Sequence, residues 1–255
     1  MQKHLALLLF LTSSVFAQSS FNGTWEMQMD TLQFSGPPED YVFANGMYHC
    51  ISCVPKVHVK TDGSDQKVAG HPYDTLAVRI LDTRSIKFTM KKDGKTTFQC
   101  VETVSPDDQT MTEDFTNTSE AETVTGKAGF TRVGQEPAGS HALSGQWRMD
   151  TVKNATRAGT LASYQTIAGG MKISDGNQSY EARFDGKDYP RNGDAHSTIS
   201  HRLIDDSTIE ETVKEDGKLV GVMRMAVSKD GKSTKVESED RKRGTTMTYT
   251  AAKLP

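Results

Sequence analysis

A tandem repeat constrains the fold of this chain more than any other feature of its sequence. Residues 208–233 read TIEETVKEDGKLVGVMRMAVSKDGKS, and residues 85–110 read SIKFTMKKDGKTTFQCVETVSPDDQT. The two copies keep a constant offset of 123 residues from Asp62 onward, where Asp62 matches Asp185. Self-similarity over so long a stretch indicates a duplicated structural unit.

The turn residues of the repeat predict what that unit is. Asp216-Gly217 and Asp230-Gly231 are predicted two-residue type I′ turns, because both central residues of such a turn need positive φ. Apolar residues alternate with others between these turns, which is typical of strands. In copy one, strands are predicted near 24–33, 40–50, 55–62, 74–82, 85–92, 95–104, 110–117 and 123–133. The prediction is an all-β chain of two tandem antiparallel barrels with about eight strands each.

The chain is predicted to have four parts. Residues 1–17 are a predicted signal peptide, 18–133 and 141–255 are the two β units, and 134–140 (GQEPAGS) are a linker rich in turn formers.

An N-terminal targeting signal is predicted from a basic start followed by an apolar run over Leu5–Phe16. Cleavage is expected near Ala17-Gln18, since Val15-Phe16-Ala17 is a small-x-small site. The apolar run is shorter than the roughly 20 residues of a spanning helix. We therefore expect a secreted or periplasmic protein without a membrane span.

Charge and motif content argue against several classes of function. The chain has 30 basic and 33 acidic residues and a net charge of −3. Nucleic-acid binding proteins usually carry a clustered basic face, so no nucleic-acid partner is predicted. Serine-hydrolase, zinc-protease and phosphate-loop motifs are missing from the sequence. No enzyme activity and no cofactor are predicted, and the sequence leaves the oligomeric state open.

Each copy opens with the same short motif, Phe21-x-Gly23-x-Trp25 in the first and Leu143-x-Gly145-x-Trp147 in the second. This motif resembles the start of lipocalin (calycin) barrels. The patterns at 185–190, 202–209 and 227–232 are similar to those of uncharacterised secreted bacterial proteins with tandem lipocalin-like domains. The resemblance implies barrels that can hold a small hydrophobic ligand, and it brings no known activity with it.

Departures from the lipocalin pattern are clear. Both units are shorter than a usual lipocalin and lack its Thr-Asp-Tyr motif and long C-terminal helix. No Arg-x-Tyr pair of the kind that holds a carboxylate in fatty-acid-binding proteins is present. Ligand binding is thus implied by fold analogy alone.

The predicted function is an exported, non-enzymatic β-barrel protein that binds a small apolar ligand. The alternative is an envelope or extracellular interaction module whose barrels are filled by their own side chains. Large aromatic and flexible thioether side chains would line a ligand cavity. The predicted lining residues are Trp25, Met27, Trp147, Met149, Met223 and Met225.

The three cysteines of the chain all lie in the first copy. Export would place them in an oxidising compartment, where disulfides persist. Either Cys50 pairs with Cys53 and leaves Cys100 as a buried thiol, or Cys100 pairs with one of the other two. His49, His58 and His71 lie near Cys50 and Cys53, but the second ligand pair of a zinc motif is missing, so no metal is predicted.

Overall fold

The structure is a computed structural model that describes residues 19–119, 122–135, 137–176, 178–191 and 194–255. The predicted signal peptide, residues 1–17, and its cleavage site at Ala17-Gln18 lie outside the described residues. Among the described residues, no helix has the length and apolar character needed to cross a bilayer.

Strands dominate the described chain, and its helices are three single 3₁₀ turns at Ser19–Phe21, Met29–Thr31 and Arg157–Thr160. The strands of the first copy are β1 (Gly23–Met27), β2 (Gln33–Ser35), β3 (Glu39–Ala44), β4 (Met47–Cys50), β5 (Val57–Lys60), β6 (Gln66–Lys67), β7 (Thr75–Ile80), β8 (Ser85–Lys92), β9 (Lys95–Val104), β10 (Thr110–Asn117) and β11 (Val124–Gly134). Those of the second copy are β12 (Gly145–Lys153), β13 (Leu161–Ile167), β14 (Gly170–Asp175), β15 (Gln178–Arg183), β16 (Tyr189–Arg191), β17 (Asp194–Asp205), β18 (Thr208–Glu215), β19 (Lys218–Val227), β20 (Ser233–Asp240) and β21 (Thr245–Lys253).

These strands form two antiparallel sheets, each curled into a nearly closed barrel, which confirms the predicted all-β fold with two barrel units. Barrel one has the strand order β5-β4-β3-β12-β11-β10-β9-β8-β7-β6. Barrel two has the order β15-β14-β13-β1-β21-β20-β19-β18-β17-β16, with β2 paired to β21 as well. Each barrel is ten strands around, more than the predicted eight.

The difference in strand number has local causes. The predicted strand 40–50 is a hairpin, because Asn45 and Gly46 take positive φ of 52° and 72° and turn the chain between β3 and β4. The predicted strand 24–33 is interrupted after β1 by the 3₁₀ turn Met29–Thr31. The two-residue strand β6 has no clear sequence pattern.

Both barrels close with the same backbone contact. The Gly63 amide donates to the Val78 carbonyl at 2.9 Å in barrel one, and the Gly186 amide donates to the His201 carbonyl at 3.3 Å in barrel two. Gly186 and His201 are the equivalents of Gly63 and Val78 at the offset of 123 residues. The duplication therefore extends to the contact that closes each barrel.

The predicted hairpin turns are confirmed in part. Asp216 and Gly217 take φ of 46° and 75°, as a type I′ turn requires. The prediction for Asp230-Gly231 is wrong, since β19 ends at Val227 and β20 begins at Ser233, with five residues between them. Only Gly231 has positive φ there, and the Asp230 carboxylate accepts the Ser228 hydroxyl at 2.6 Å and so stabilises the longer loop.

The first strands of the two copies are exchanged between the barrels. β1 lies between β13 and β21 of barrel two, and β12 lies between β3 and β11 of barrel one. The registers are equivalent, since Gly23 faces Tyr164 while Gly145 faces Tyr41. Each barrel is therefore built from both copies, and its sheet crosses the predicted boundaries at 18–133 and 141–255. Gly134, placed in the predicted linker 134–140, is the last residue of β11.

The shared apolar-x-Gly-x-Trp motif has a structural explanation. The Trp25 indole N–H donates to the Phe21 carbonyl and the Trp147 indole N–H to the Leu143 carbonyl, both at 2.9 Å. These indoles and the side chains four residues earlier are buried. The motif thus plugs a barrel with an aromatic ring whose single polar group is satisfied locally.

Glycine is required in this motif because of its backbone conformation. Gly145 has φ of 118°, and an added Cβ would lie 2.8 Å from both the Gly134 carbonyl oxygen and the Arg132 guanidinium. We expect Gly145→Ala to destabilise the protein by about 1–3 kcal/mol, measured by chemical denaturation. Gly23→Ala is the matched variant. Gly23 has φ of 129°, so alanine is strained there too, but its Cβ would meet only the flexible end of Lys253 and the loss should be smaller. Equal effects of the two substitutions would show that the positive φ alone, and not the close contact with the Gly134 carbonyl, sets the loss.

Candidate functional site

Four of the six predicted lining residues meet in one cavity. Trp25, Met27, Met223 and Met225 line a cavity of about 230 Å³ inside barrel two. Trp25 and Met27 come from the first copy and reach the two methionines of the second because β1 is exchanged. The strand exchange therefore decides which predicted residues lie together.

The other two predicted residues lie elsewhere. Trp147 and Met149 line a groove of about 440 Å³ that also contacts Phe34, Pro37 and Met247. Trp147 is fully buried and belongs to the core of barrel one, and Met149 is packed against that core. The six residues thus do not form a single site.

The largest of the three cavities found among the described residues has a volume of about 660 Å³, and it extends from the interior of barrel one to residues of barrel two such as Val213 and Val220. Aromatic side chains form much of its wall, namely Tyr41, Tyr48, Tyr73, Phe88 and Phe98. Tyr48 packs against Phe88 with ring centroids 5.4 Å apart, which holds both rings in place. A cavity of this size and lining is typical of small-molecule sites.

Two carboxyl groups lie in this cavity. Glu102 on β9 and Glu113 on β10 are directly opposite each other across neighbouring strands. One oxygen of each carboxyl group and the Cys100 sulfur lie within 4.8 Å of one another. The Tyr41 hydroxyl donates to Glu102 at 3.3 Å. Among the described residues neither carboxyl has a basic partner, although like charges directly opposite in a sheet repel.

The cavity therefore raises the proton affinity of both acids. Burial and then the charges of Glu113 and Glu39 raise the pKa of Glu102 well above its ordinary value. Burial and then Glu39 raise the pKa of Glu113 to about 7. Burial is also the first cause of the raised pKa of the Cys100 thiol. At neutral pH the site holds protons that a cation could replace.

The duplication provides an internal comparison for these residues. At the offset of 123 residues, Cys100, Glu102 and Glu113 correspond to Met223, Met225 and Val236 of barrel two. Met225 and Val236 face each other in the same register and are buried in an apolar core. The barrel scaffold therefore folds with apolar groups at these positions and does not need the acids.

Barrel two has a buried carboxylate of its own, but that group is paired. His201 Nε2 lies 2.8 Å from Glu211 Oε2, with side-chain exposures of 1% and 7%. The Tyr180 hydroxyl donates to the other oxygen of Glu211 at 3.3 Å. The histidine and this glutamate replace Val78 and Phe88 of barrel one. Barrel two thus supplies a basic partner for its buried acid, and barrel one does not.

Charged residues of barrel two border the mouth of the barrel-one cavity. Arg243 forms an ion pair with Glu39 at 3.1 Å, and Lys242 pairs with Glu215. Arg191 also borders the cavity, with its guanidinium carbon 5.8 Å from the Tyr180 ring centroid. The mouth is thus formed jointly by the two barrels.

The cysteines adopt the first of the two arrangements left open by the sequence. Cys50 and Cys53 form a disulfide, and Cys100 is a buried free thiol. The disulfide removes Cys50 and Cys53 as metal ligands. The rings of His49 and His58 lie against each other with centroids 3.9 Å apart and planes tilted by 40°, whereas His71 stacks on Tyr73. The five candidate ligands near Cys50 therefore do not form a common site.

Sequence reasoning missed Cys100, Glu102 and Glu113, although a signal was present. Residues 98, 100, 102 and 104 alternate toward the interior of β9, so a glutamate at 102 occupies an inward position. Comparing the copies would have shown that two glutamates replace apolar residues there.

Comparison of the chain with known protein families, with characterised proteins and with solved structures finds no match. The resemblance to lipocalin-like proteins accordingly stays a prediction from the motifs. The class that the fold itself defines is a protein of two nearly closed antiparallel β-barrels that exchange their first strands.

Proposed function

We propose that this chain is an exported, non-enzymatic binding protein that holds a small, largely apolar molecule in the cavity of barrel one. The cavity of about 660 Å³ carries this proposal, because its volume lies within the roughly 300–1,000 Å³ typical of ligand sites. Aromatic side chains of barrel one form its apolar part, and charged side chains of both barrels border its mouth, so one site offers both kinds of contact.

In this proposal barrel two holds no ligand and instead helps to form the mouth of the cavity. Its cavity of about 230 Å³ is below the usual range for ligand sites, and its core is filled by its own side chains. Its charged residues form part of the mouth of barrel one. The predicted alternative, a filled barrel that acts as an interaction module, thus describes barrel two better than barrel one.

Export is supported by the sequence of residues 1–17 and by the disulfide. The Cys50–Cys53 bond begins at the end of β4 beside the cavity. Disulfides persist in oxidising compartments and are rare in the cytosol. Export would also suit a carrier that meets its ligand outside the cell.

Native mass spectrometry of protein isolated from its own source tests the proposal. We expect an added mass in the native spectrum that disappears on denaturation and identifies the ligand. Met90 lines the cavity of barrel one, and Met223 lines that of barrel two. Met90→Trp should fill the site and weaken binding by about tenfold or more, because the new ring clashes with the ligand.

The matched variant is Met223→Trp, which should leave binding unchanged. Loss of the adduct with Met223→Trp, and its retention with Met90→Trp, would place the site in barrel two. A chain that carries no adduct, and that binds nothing from an extract of its source, would contradict the carrier function.

A further inference from the structure

We propose that the ligand of barrel one carries a cationic amine, which the carboxyl groups of Glu102 and Glu113 bind at the inner end of the aromatic cavity. This inference rests on the proposed function and specifies the chemistry of its ligand. It goes beyond an apolar ligand, because it assigns one charged group and the two residues that bind it.

The first argument is that two acids inside the cavity, Glu102 buried and Glu113 half-buried, lack a basic partner among the described residues. Glu102 is only 7% exposed, and the Tyr41 hydroxyl at 3.3 Å is its single hydrogen-bond partner among the described residues. Glu113 faces it across the sheet and contacts the Cys100 thiol. Burying an acid without a basic partner is unfavourable, so such a pair indicates that the partner arrives with the ligand.

The second argument is the comparison between the barrels. The same two positions are Met225 and Val236 in barrel two, where the fold is equally well formed. The buried glutamate Glu211, which lies in that barrel, has His201 as a partner at 2.8 Å. The unpaired acids are therefore specific to the barrel that contains the large cavity, and folding does not require them.

The third argument is the wall around the acids. Tyr41, Tyr48 and Phe88 line the same cavity as the two glutamates. Aromatic faces attract organic cations, and the attraction strengthens where water is excluded. The cavity thus combines an apolar surface for the body of the ligand with acceptors for its ammonium group.

A bare metal ion is the competing occupant. Cys100, Glu102 and Glu113 place one sulfur and two oxygen donors within 4.8 Å of one another, which a divalent ion could bridge. An ion would fill only a small part of about 660 Å³ and would make no use of the aromatic wall. An amine on an apolar body uses both parts of the cavity.

Calorimetry with three probes tests the inference on the full chain after removal of any endogenous ligand. The probes are phenylethylamine, phenylethanol and zinc chloride. Phenylethanol has nearly the shape of the amine but no charge. We expect the amine to bind about tenfold to a hundredfold more tightly than the alcohol, as hydrogen bonds to charged groups usually exceed neutral ones by that factor.

Two variants locate the effect. Glu102→Met with Glu113→Val installs the residues of barrel two and should abolish the preference for the amine while the alcohol still binds. Glu102→Gln with Glu113→Gln keeps the size of the side chains and should give the same result, which guards against a folding defect in the first variant.

The outcomes separate the two proposals. Equal affinity for amine and alcohol would overturn the cationic ligand and leave the carrier function intact. Tight zinc binding that Cys100→Ser abolishes, together with no preference for the amine, would overturn it in favour of a metal site. If neither organic probe binds the wild-type chain and no native adduct is found, the carrier function fails with it.

Discussion

Replacing Trp25 with alanine is expected to destabilise barrel two, although Trp25 lies in the first copy of the sequence. The indole is 2% exposed and packs in the core of barrel two, where β1 is held between β13 and β21. Removal of a buried tryptophan side chain usually costs about 3–5 kcal/mol. We expect a loss of this size in the free energy of unfolding by chemical denaturation.

Amide hydrogen exchange shows which strands lose stability in the Trp25→Ala variant. Trp25→Ala should speed amide exchange in β13 and β21, and leave β3 and β11 closer to the wild-type rates. Trp147→Ala is the reciprocal variant and should speed exchange in β3 and β11, because β12 lies between them. If each substitution instead loosens the barrel of its own copy, the first strands are not exchanged.

The free protein is expected to become less stable as the pH rises from about 5 to 8. The folded protein keeps a proton on Glu113 up to a pKa of about 7, whereas the unfolded chain releases it near the ordinary value of 4.5. Between these values the folded state binds more protons, so raising the pH favours unfolding. The loss from this group is up to about 3 kcal/mol, and Glu102 adds to it in the same direction.

Several charged and titratable groups surround Glu113 and belong to this expectation. Cys100 and Glu102 face it from β9, and Glu39 and Tyr41 face it from β3. At the cavity mouth, barrel two adds Arg191, Glu215, Glu239, Asp240, Lys242 and Arg243. Two of these cations are already paired, Arg243 with Glu39 and Lys242 with Glu215. Glu102 and Glu113 therefore stay without a basic partner, and their burial makes the folded protein less stable as the pH rises.

Denaturation curves at several pH values measure this effect. Glu113→Val should raise the stability at pH 8 and flatten its pH dependence, because it removes a carboxyl group whose pKa is raised in the folded state. Glu181→Gln, on the exposed face of barrel two, is the control and should leave the slope unchanged. A wild-type stability that rises between pH 5 and 8 would show that the carboxyl pair is not held protonated.

Much of the fold follows from local sequence signals. Alternating strands and Asp-Gly turns predict two antiparallel barrels, and β8, β9 and β10 lie where the pattern places them. The hairpin at Asn45-Gly46 was also predictable, since Asn-Gly is a strong type I′ signal. The predicted single strand 40–50 is wrong, because the Asn45-Gly46 turn divides this apolar stretch into β3 and β4.

The strand exchange could not be predicted from the sequence. Both first strands carry the same motif and offer the same register, so β1 and β12 fit either barrel equally well by pattern. Contacts between residues distant in sequence accompany the exchange, such as the hydrogen bonds that Arg132 donates to the Ala142 and Ser144 carbonyls at 2.6 and 2.7 Å, and no local pattern predicts them. The acid pair escaped prediction for a related reason, because facing residues on β9 and β10 become visible only when the register is known.

The exchanged first strands make this chain the covalent counterpart of a swapped dimer. Each copy acts as a subunit that gives one strand to its neighbour and receives an equivalent strand in return. Separating the copies would leave each with an open slot in its wall and a spare strand that fits the slot. A separated copy could therefore insert its own first strand into its slot or exchange first strands with a second copy. Joining the two copies in one chain favours the exchanged arrangement.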